Sequence, residues 1–342
     1  MGFKRNNGST KVIYCREDRN SLMAKVCVVI VTYNRKDLLL NLLEKLTKQT
    51  HRVEEIIIVD NHSADGTFAL LLSKGIIKEA VENEITESEW EGIRINYYLN
   101  SENTGGSGGF EKAFQLALGH NCDYIWAMDD DVEPENDCLE MLLNNIDVDS
   151  KVCIPSRNDE NWTDELVIHY DLSNPFLFNI KQYKTVVNSN MVKEDTVIVE
   201  DFPLEGPLIS IDVARSVGTP NSKYFIMYDD TDFAHRLCKY TSIKYVKKAR
   251  LHRKLTVPKA KNSEWTWKEY YLLRNSFVFD KCYGSNIFVR RCRPLISCFA
   301  KIVSAICQRK LFRVKIICKA YNDAIHNRLG KRIEPGTDVR TL

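Results

Sequence analysis

The stretch VCVVIVTYNRKDLLLNLLEKL, residues 26–46, decides the fold class. Its first six residues are a continuous apolar run rich in β-branched side chains, the pattern of a strand buried on both faces. The leucines of KDLLLNLLEKL then recur at helical spacing, so strand gives way to helix within a few residues. The alternation continues. EIIIVD (55–60) reads as a second strand and TFALLLSKG (67–75) as a helix that Gly75 ends. INYYLN (95–100) is a third strand and GFEKAFQLALGH (109–120) a third helix. YIWAMDD (124–130) is a fourth strand, and Pro134 opens a helix over PENDCLEMLLNNI (134–146). Strands and helices at this spacing imply an α/β fold, a Rossmann-like, mostly parallel sheet with right-handed crossovers and flanking helices.

Beyond residue 150 the pattern loosens. Residues 156–200 are polar and irregular, as expected of loops covering a site. LISIDVA (208–214) and KYFIM (223–227) read as strands, DDTDFAHRLCKY (229–240) and EWTWKEYYLLRNSFVFDK (264–281) as helices. The expected organisation is a leader at 1–25, two halves of one α/β domain at 26–150 and 151–282, and a basic helical tail at 283–342.

The 342 residues are 44% hydrophobic and 27% charged, ordinary values that exclude a disordered or collagen-like chain. The net charge is only +2, but it is unevenly placed: residues 286–332 hold twelve Lys and Arg against one acid, Asp323. The eleven cysteines are scattered, without a C-x-x-C pair, which excludes a zinc ribbon or a thioredoxin-like site and reads as reduced thiols. The polar start MGFKRNNGST has no signal-peptide core, and Asn6 argues against myristoylation. No apolar run reaches the roughly 18 residues of a membrane span.

In a parallel α/β sheet, ligands bind outside the carboxyl ends of the strands. Those ends carry Thr32-Tyr33-Asn34, Asp60-Asn61, Asn100 with the following NTGGSGG (103–109), and Asp129-Asp130-Asp131. Three adjacent carboxylates repel one another unless a cation sits among them, and oxygen ligands favour Mg²⁺ or Mn²⁺ bridging to substrate phosphates. A helix cap would need only one of them. In NTGGSGG, backbone amides around Asn103, Gly105 and Gly106 are free to face a pyrophosphate or ribose. The segment does not match G-x-G-x-x-G, and no P-loop occurs, so dinucleotide and P-loop sites are excluded. A second acidic cluster, MYDDTDF (227–233), offers a general base or simply acids at a helix start. His252 in ARLHRK is ambiguous, a lone His being more often structural than a ligand.

VTYNR, VDNHSADGT, NTGGSGG, MDDDV, MYDDTDF and LHRK, in this order over about residues 25–280, resemble the family 2 inverting glycosyltransferases of the GT-A fold. NTGGSGGF with the triple Asp and the later YYLLRN is most similar to bacterial galactofuranosyltransferases, with rhamnosyltransferases using dTDP-rhamnose close behind. The resemblance implies that Thr32, Tyr33, Asp60 and Asn61 hold the nucleotide, together with Asn103, Gly105 and Gly106. It implies that Asp129 and Asp131 ligate the metal with His252, that Asp130 lies near the ribose or donor sugar, and that Asp230 is the base. Asp229 and Trp162 fall on the acceptor side. Asn61 stands where members often carry Asp, and Tyr228 departs from their Glu-Asp or Trp-Asp-Asp pattern. The implied reaction moves a sugar, galactofuranose by preference, from a UDP-sugar to a lipid-linked or oligosaccharide acceptor in bacterial surface polysaccharide synthesis.

In the tail, ISCFAKIVSAI (296–306) places Ile296, Phe299, Ile302, Val303 and Ile306 on one helical face among Lys and Arg, a pattern that reads as a binder of anionic membrane. The expected location is therefore cytoplasmic, peripheral on the inner face of the cytoplasmic membrane. No nucleic-acid-binding motif accompanies the basic residues. Two alternatives compete: a sugar-phosphate nucleotidyltransferase, whose Gly-rich loop TYNRKD lacks, and a non-catalytic membrane-associated scaffold.

Overall fold

The computed structural model describes residues 24–159, 162–255 and 265–341. Residues 1–23 of the expected leader lie outside them. Four parallel strands form the heart of the sheet: β1 (Val26–Thr32) lies between β2 (Glu55–Asp60) and β5 (Tyr124–Asp129), and β4 (Ile93–Leu99) adds to β2. The short β3 (Ile85–Trp90) closes this edge antiparallel to β4. It escaped sequence reading because ITESEW is buried only at Ser88 and carries little apolar signal.

Every residue of β1 is buried, and its side chains divide by parity. Val26, Val28 and Ile30 enter one core with the leucines of α1 (Lys36–Leu46) and α4 (Cys138–Leu143). Cys27, Val29 and Val31 enter a second core with α3 (Gly105–Leu118) and α6 (Asp229–Leu237). The continuous apolar run is thus the mark of a strand covered by helices on both faces. Between α1 and α3 runs α2 (Thr67–Ser73).

On the other side of β5 the sheet is mixed, so the mostly parallel expectation holds only for its first half. After the short β6 (Val132–Pro134) come β7 (Val152–Ser156), the hairpin β8 (Glu165–Tyr170) with β9 (Lys184–Asn188), and β10 (Thr196–Val199). Then follow β11 (Leu208–Ser210), α5 (Ile211–Val217) and the eleven-residue β12 (Ile243–Arg253). β11 runs antiparallel between β5 and β7, β12 runs parallel to β7, and β6 and β10 pair antiparallel with β12.

Four local expectations are corrected. Residues 156–200 carry strands rather than loops alone. Only Leu208–Ser210 of LISIDVA is strand; Ile211 and Ala214, one helical turn apart, are the buried face of α5. KYFIM is not a strand: a 3₁₀ turn at Ser222–Tyr224 runs into residues with left-handed backbone. Pro134 lies in β6, and its helix starts four residues later at Cys138.

A third core holds the carboxy-terminal part together. It joins α7 (Trp267–Tyr283), α8 (Ile287–Cys307) and α9 (Phe312–Ile325) through Tyr270, Tyr271, Phe277, Cys298, Ile316 and Ile317. Tyr224, Phe225 and Tyr228, just ahead of α6, belong to the same core. A capping box of Thr266 and Glu269 fixes the start of α7. Among the described residues no helix is long and apolar enough to cross a membrane.

Candidate active site

The parallel strands end at Thr32, Asp60, Leu99 and Asp129, on one edge of the sheet. A cavity of about 590 Å³ opens there. Its lining includes Thr32, Tyr33, Asn61, Asn103, Gly105, Gly106, the three aspartates 129–131, Glu205, Asp229, Asp230 and Arg253.

Asn61 organises the start of α3. Its Nδ2 donates to the carbonyl of Gly105 at 2.9 Å, and its Oδ1 accepts from Asn100 Nδ2 at 2.9 Å and from Thr104 N at 3.0 Å. Gly105 is required by space as well as by its φ of +76°: a Cβ there would lie 2.1 Å from the carbonyl oxygen of Phe225. GGSGG is therefore the first turns of α3 rather than a flexible loop. Gly109 is equally constrained, since a Cβ would meet Val31 Cγ1 at 2.4 Å.

Asp130 is fixed from two sides. Thr32 Oγ1 donates to its Oδ2 at 2.8 Å, and Arg35 Nη1 donates to its Oδ1 at 2.8 Å and to Asp131 Oδ2 at 2.9 Å. Burial holds the carboxyls of Asp129, Asp130 and Asp131 above the usual range. For Asp129, Glu205, Asp131 and Asp130 add repulsion in that order. Glu205 in turn accepts from Arg157 at 2.8 Å and pairs with Arg253 at 3.0 Å.

Among the described residues, no three acidic, His or Cys side chains converge closely enough to hold a metal as they stand. The donor set nevertheless fits a hard divalent cation in its chemistry. Carboxylate oxygens crowd a partly enclosed cleft, and Asp129 carries a repulsion that such an ion relieves.

At Asp230 the first cavity meets a second of about 400 Å³, walled by Arg157, Glu165, Lys184 and Asp201 among others. Asp201 takes a hydrogen bond from Tyr170 Oη, one from Thr231 Oγ1 at 3.3 Å, and an ion pair with Lys184 Nζ at 2.9 Å. Burial, then Asp229, then Asp201 push the Asp230 carboxyl up to about 8, while the Thr231 amide, 2.7 Å from its Oδ1, and Lys184 oppose the rise. A carboxylate so poised, facing two cavities, is suited to removing a proton from a group bound in one as it reacts with a group bound in the other.

The sequence pattern described as Glycosyl transferase family 2 matches residues 27–196. The chain belongs to this family. Galactofuranosyltransferase GlfT1 of Mycolicibacterium smegmatis is 25% identical over 219 residues, 62% of this chain and 65% of that protein. GlfT1 of Mycobacterium tuberculosis is 23% identical over 228 residues, 62% of this chain and 64% of that protein. The amylovoran biosynthesis glycosyltransferase AmsB of Erwinia amylovora is 28% identical over 120 residues, 35% of each chain. The matches thus span just under two thirds of the length of the GlfT1 relatives.

Among solved structures, GalNAc-T7 with UDP, GalNAc and Mn²⁺ superposes with a TM-score of 0.53 at 14% identity, over 83% of this chain and 57% of that one. Residues 1–349 of S. aureus TarS give 0.50 at 12% identity, over 89% and 82%. The fold is accordingly the GT-A type of glycosyltransferases.

Of the residues expected from this family's motifs, Thr32, Tyr33, Asn61, Asn103, Gly105, Gly106, Asp129, Asp130, Asp131, Asp229 and Asp230 line the first cavity. Three others lie elsewhere. Asp60 is buried, with one oxygen bonded to Ser63 N at 2.7 Å and the other to Tyr97 Oη at 2.6 Å. His252 Nε2 lies 3.1 Å from Glu135 Oε1, on a strand paired with β6, and lines neither cavity. Trp162 likewise lines neither; the Arg253 guanidinium stacks over its ring at 4.4 Å. Sequence reasoning missed Arg35, Glu205 and Arg253, and missed Lys184 and Asp201. Arg35 was within reach, because it directly follows the first strand's TYN. Arg253 lies inside the quoted LHRK, next to His252, while Glu205, Lys184 and Asp201 come from separate parts of the chain and carry no local signal.

Proposed function

We propose that this protein transfers a sugar, galactofuranose by preference, from a UDP-sugar to a hydroxyl of a lipid-linked or oligosaccharide acceptor during surface polysaccharide synthesis. The observation that carries the reading is the position of Asp230 at the junction of two cavities, one edged by the strand-end aspartates and one edged by Lys184 and Asp201. The first is read as the donor side and the second as the acceptor side. The likeness to GlfT1 proteins supports the choice of galactofuranose.

In this mechanism Asp230 accepts the proton of the acceptor hydroxyl while that oxygen attacks the anomeric carbon. The bond from that carbon to the diphosphate breaks on the opposite face, so the configuration inverts without an enzyme nucleophile. Asp129 and Asp131 are the residues that would hold a divalent cation, Mn²⁺ or Mg²⁺. When bound, the ion neutralises charge on the departing diphosphate. Asn61 and the amino end of α3 shape the nucleotide's surroundings, and Asp130, tied to Thr32 and Arg35, keeps the first loop in register with the aspartates. The exposed apolar face of α8, flanked by arginines, supports a peripheral place on an anionic membrane, where a lipid-linked acceptor resides.

The test combines Asp230→Asn with nucleotide binding. UDP with Mn²⁺ at about 100 times its dissociation constant should add about 2.7 kcal/mol of stability to both proteins. Turnover of a UDP-sugar should fall at least about 100-fold in the variant alone. Stabilisation by dTDP in place of UDP would move the donor to a dTDP-sugar. Full turnover in the variant would overturn the role of Asp230. Absence of any nucleotide effect would favour a non-catalytic scaffold.

A further inference from the structure

The segment YYLLRN, residues 270–275, lines neither cavity in its Arg-Asn pair, yet both of these polar side chains are fully buried. Arg274 and Asn275 sit on α7 and face the segment that leads into Asp229 and Asp230. That segment is unusual. Phe225, Met227 and Tyr228 all have positive φ, +67°, +67° and +69°. None is glycine, asparagine or aspartate, the residues that tolerate this region best. Three such residues in four persist only where the surroundings over-determine them.

The over-determination comes from α7. Asn275 Nδ2 lies 3.2 Å from the carbonyl oxygen of Tyr224, 2.9 Å from that of Ile226 and 2.8 Å from that of Met227. Its orientation is set by Arg274 Nε, which donates to Asn275 Oδ1 at 2.8 Å and so turns the amide nitrogen toward the three carbonyls. Arg274 Nη2 donates to the carbonyl of Tyr224 at 2.8 Å, and Nη1 to that of Gly330 at 2.7 Å. On the opposite side, Ser107 N of α3 donates to the carbonyl of Phe225 at 3.2 Å. Tyr228 then takes the left-handed position just before α6, and Asp232 N donates back to its carbonyl at 2.8 Å. The direction in which α6 leaves, and with it the place of Asp230, follows from these dihedral angles.

We propose that Arg274 and Asn275 are positioning residues for Asp230, holding residues 224–228 in their left-handed path so that the carboxylate stands between the two cavities. This rests on the reading of Asp230 as the base. The pair itself lines neither cavity, while Phe225, Ile226 and Met227, which it holds, line the first; its action through Asp230 falls more on turnover than on donor affinity.

The experiment uses the full chain. In Asn275→Ala, kcat should fall about 10- to 100-fold, the scale on which small displacements of a catalytic group are felt. UDP affinity in the presence of Mn²⁺ should change several-fold less than kcat, and far-UV circular dichroism should be unchanged. The decisive readout is coupling to backbone strain. Glycine has no steric penalty at positive φ and needs less restraint. The kcat loss caused by Asn275→Ala should therefore be several-fold smaller in a Met227→Gly background than in the natural one. Equal losses in both backgrounds would overturn the proposal, as would full kcat in folded Asn275→Ala. Should Asn275→Ala fail to fold, Arg274→Lys keeps the charge but not the fork that reaches Asn275, Tyr224 and Gly330 together. The same loss of kcat, larger than any change in UDP affinity, is expected there, and undiminished kcat overturns the proposal. Asp230→Asn separates the two ideas: if it turns over normally, the reading of the base has failed, whatever Asn275→Ala does.

Discussion

At the scale of single residues, the behaviour of Asp230 depends on neighbours that lie far off in sequence. Its carboxyl is raised to about 8 by burial first, then by Asp229 and Asp201. A base works in its ionised form, so kcat/KM should climb with pH and level off only above about 8. Asp201→Asn removes one of the repelling charges and leaves Lys184, which already favours ionisation of Asp230, without its partner. Both changes lower the pKa of Asp230. The rising limb of the pH profile should therefore move to lower pH in Asp201→Asn, and a larger fraction of the plateau activity should survive on the acidic side. A limb that stays in place would show that Asp230 is not the group being titrated. Asp229 and Asp230 were legible in the sequence as an acidic pair before a helix. Asp201 and Lys184 were not, because only the folded chain brings β9, the residues after β10 and the start of α6 together.

At the scale of elements, legibility followed the environment of each strand. β1, β2 and β5 are covered on both faces, so their apolar runs stood out. β12 did not. Its IKYVKKARLHR alternates buried Ile243 and Tyr245 with charged residues, and an irregularity between Val246 and Arg250 breaks the period of two midway. The glycines of α3 give a sharper case, since two neighbours in sequence answer to different constraints. Gly105 has a φ of +76° and faces the Phe225 carbonyl, while a Cβ on Gly106 would have no neighbour within 4 Å. Gly105→Ala incurs the left-handed penalty of about 1–2 kcal/mol and an overpacking cost of about 1–3 kcal/mol. A loss of at least about 2 kcal/mol in urea unfolding is expected. Gly106→Ala should be neutral or gain up to about 1 kcal/mol, because alanine is the better helix former. Equal effects would mean that α3 does not press on residue 225 as described.

At the scale of the whole molecule, the basic carboxy-terminal region is both part of the fold and a surface. Sequence periodicity had grouped Ile296, Phe299, Ile302, Val303 and Ile306 on one face of α8. In the folded chain the inward face carries Val289, Arg293, Ser297, Cys298 and Ala305, with Ile302 partly buried against the third core. Four large apolar residues point out instead, with Phe288, Leu295, Phe299 and Ile306 exposed by 64%, 54%, 67% and 52%. These four lie along one stripe at spacings of seven, four and seven residues, and Arg290, Arg291, Arg309 and Lys310 are exposed on the same region. An ordinary solvated helix would present the reverse arrangement. Deleting residues 286–342 would not test this surface cleanly, because α8 and α9 also cover Tyr270, Tyr271 and Phe277. Substitution of exposed positions does. The pair Leu295→Ser and Phe299→Ser alters no buried side chain of the third core, so unfolding should be unaffected while the apolar stripe loses its centre. At about 25 cal/mol for each Å² of apolar surface taken from water, two such side chains contribute about 3 kcal/mol to insertion. Binding to vesicles containing anionic lipid should weaken about 100-fold, and raised salt should weaken what remains by screening the arginines. Retention of the natural affinity in the double variant would remove this face of α8 from contact with the bilayer and leave the basic residues as a solvated surface.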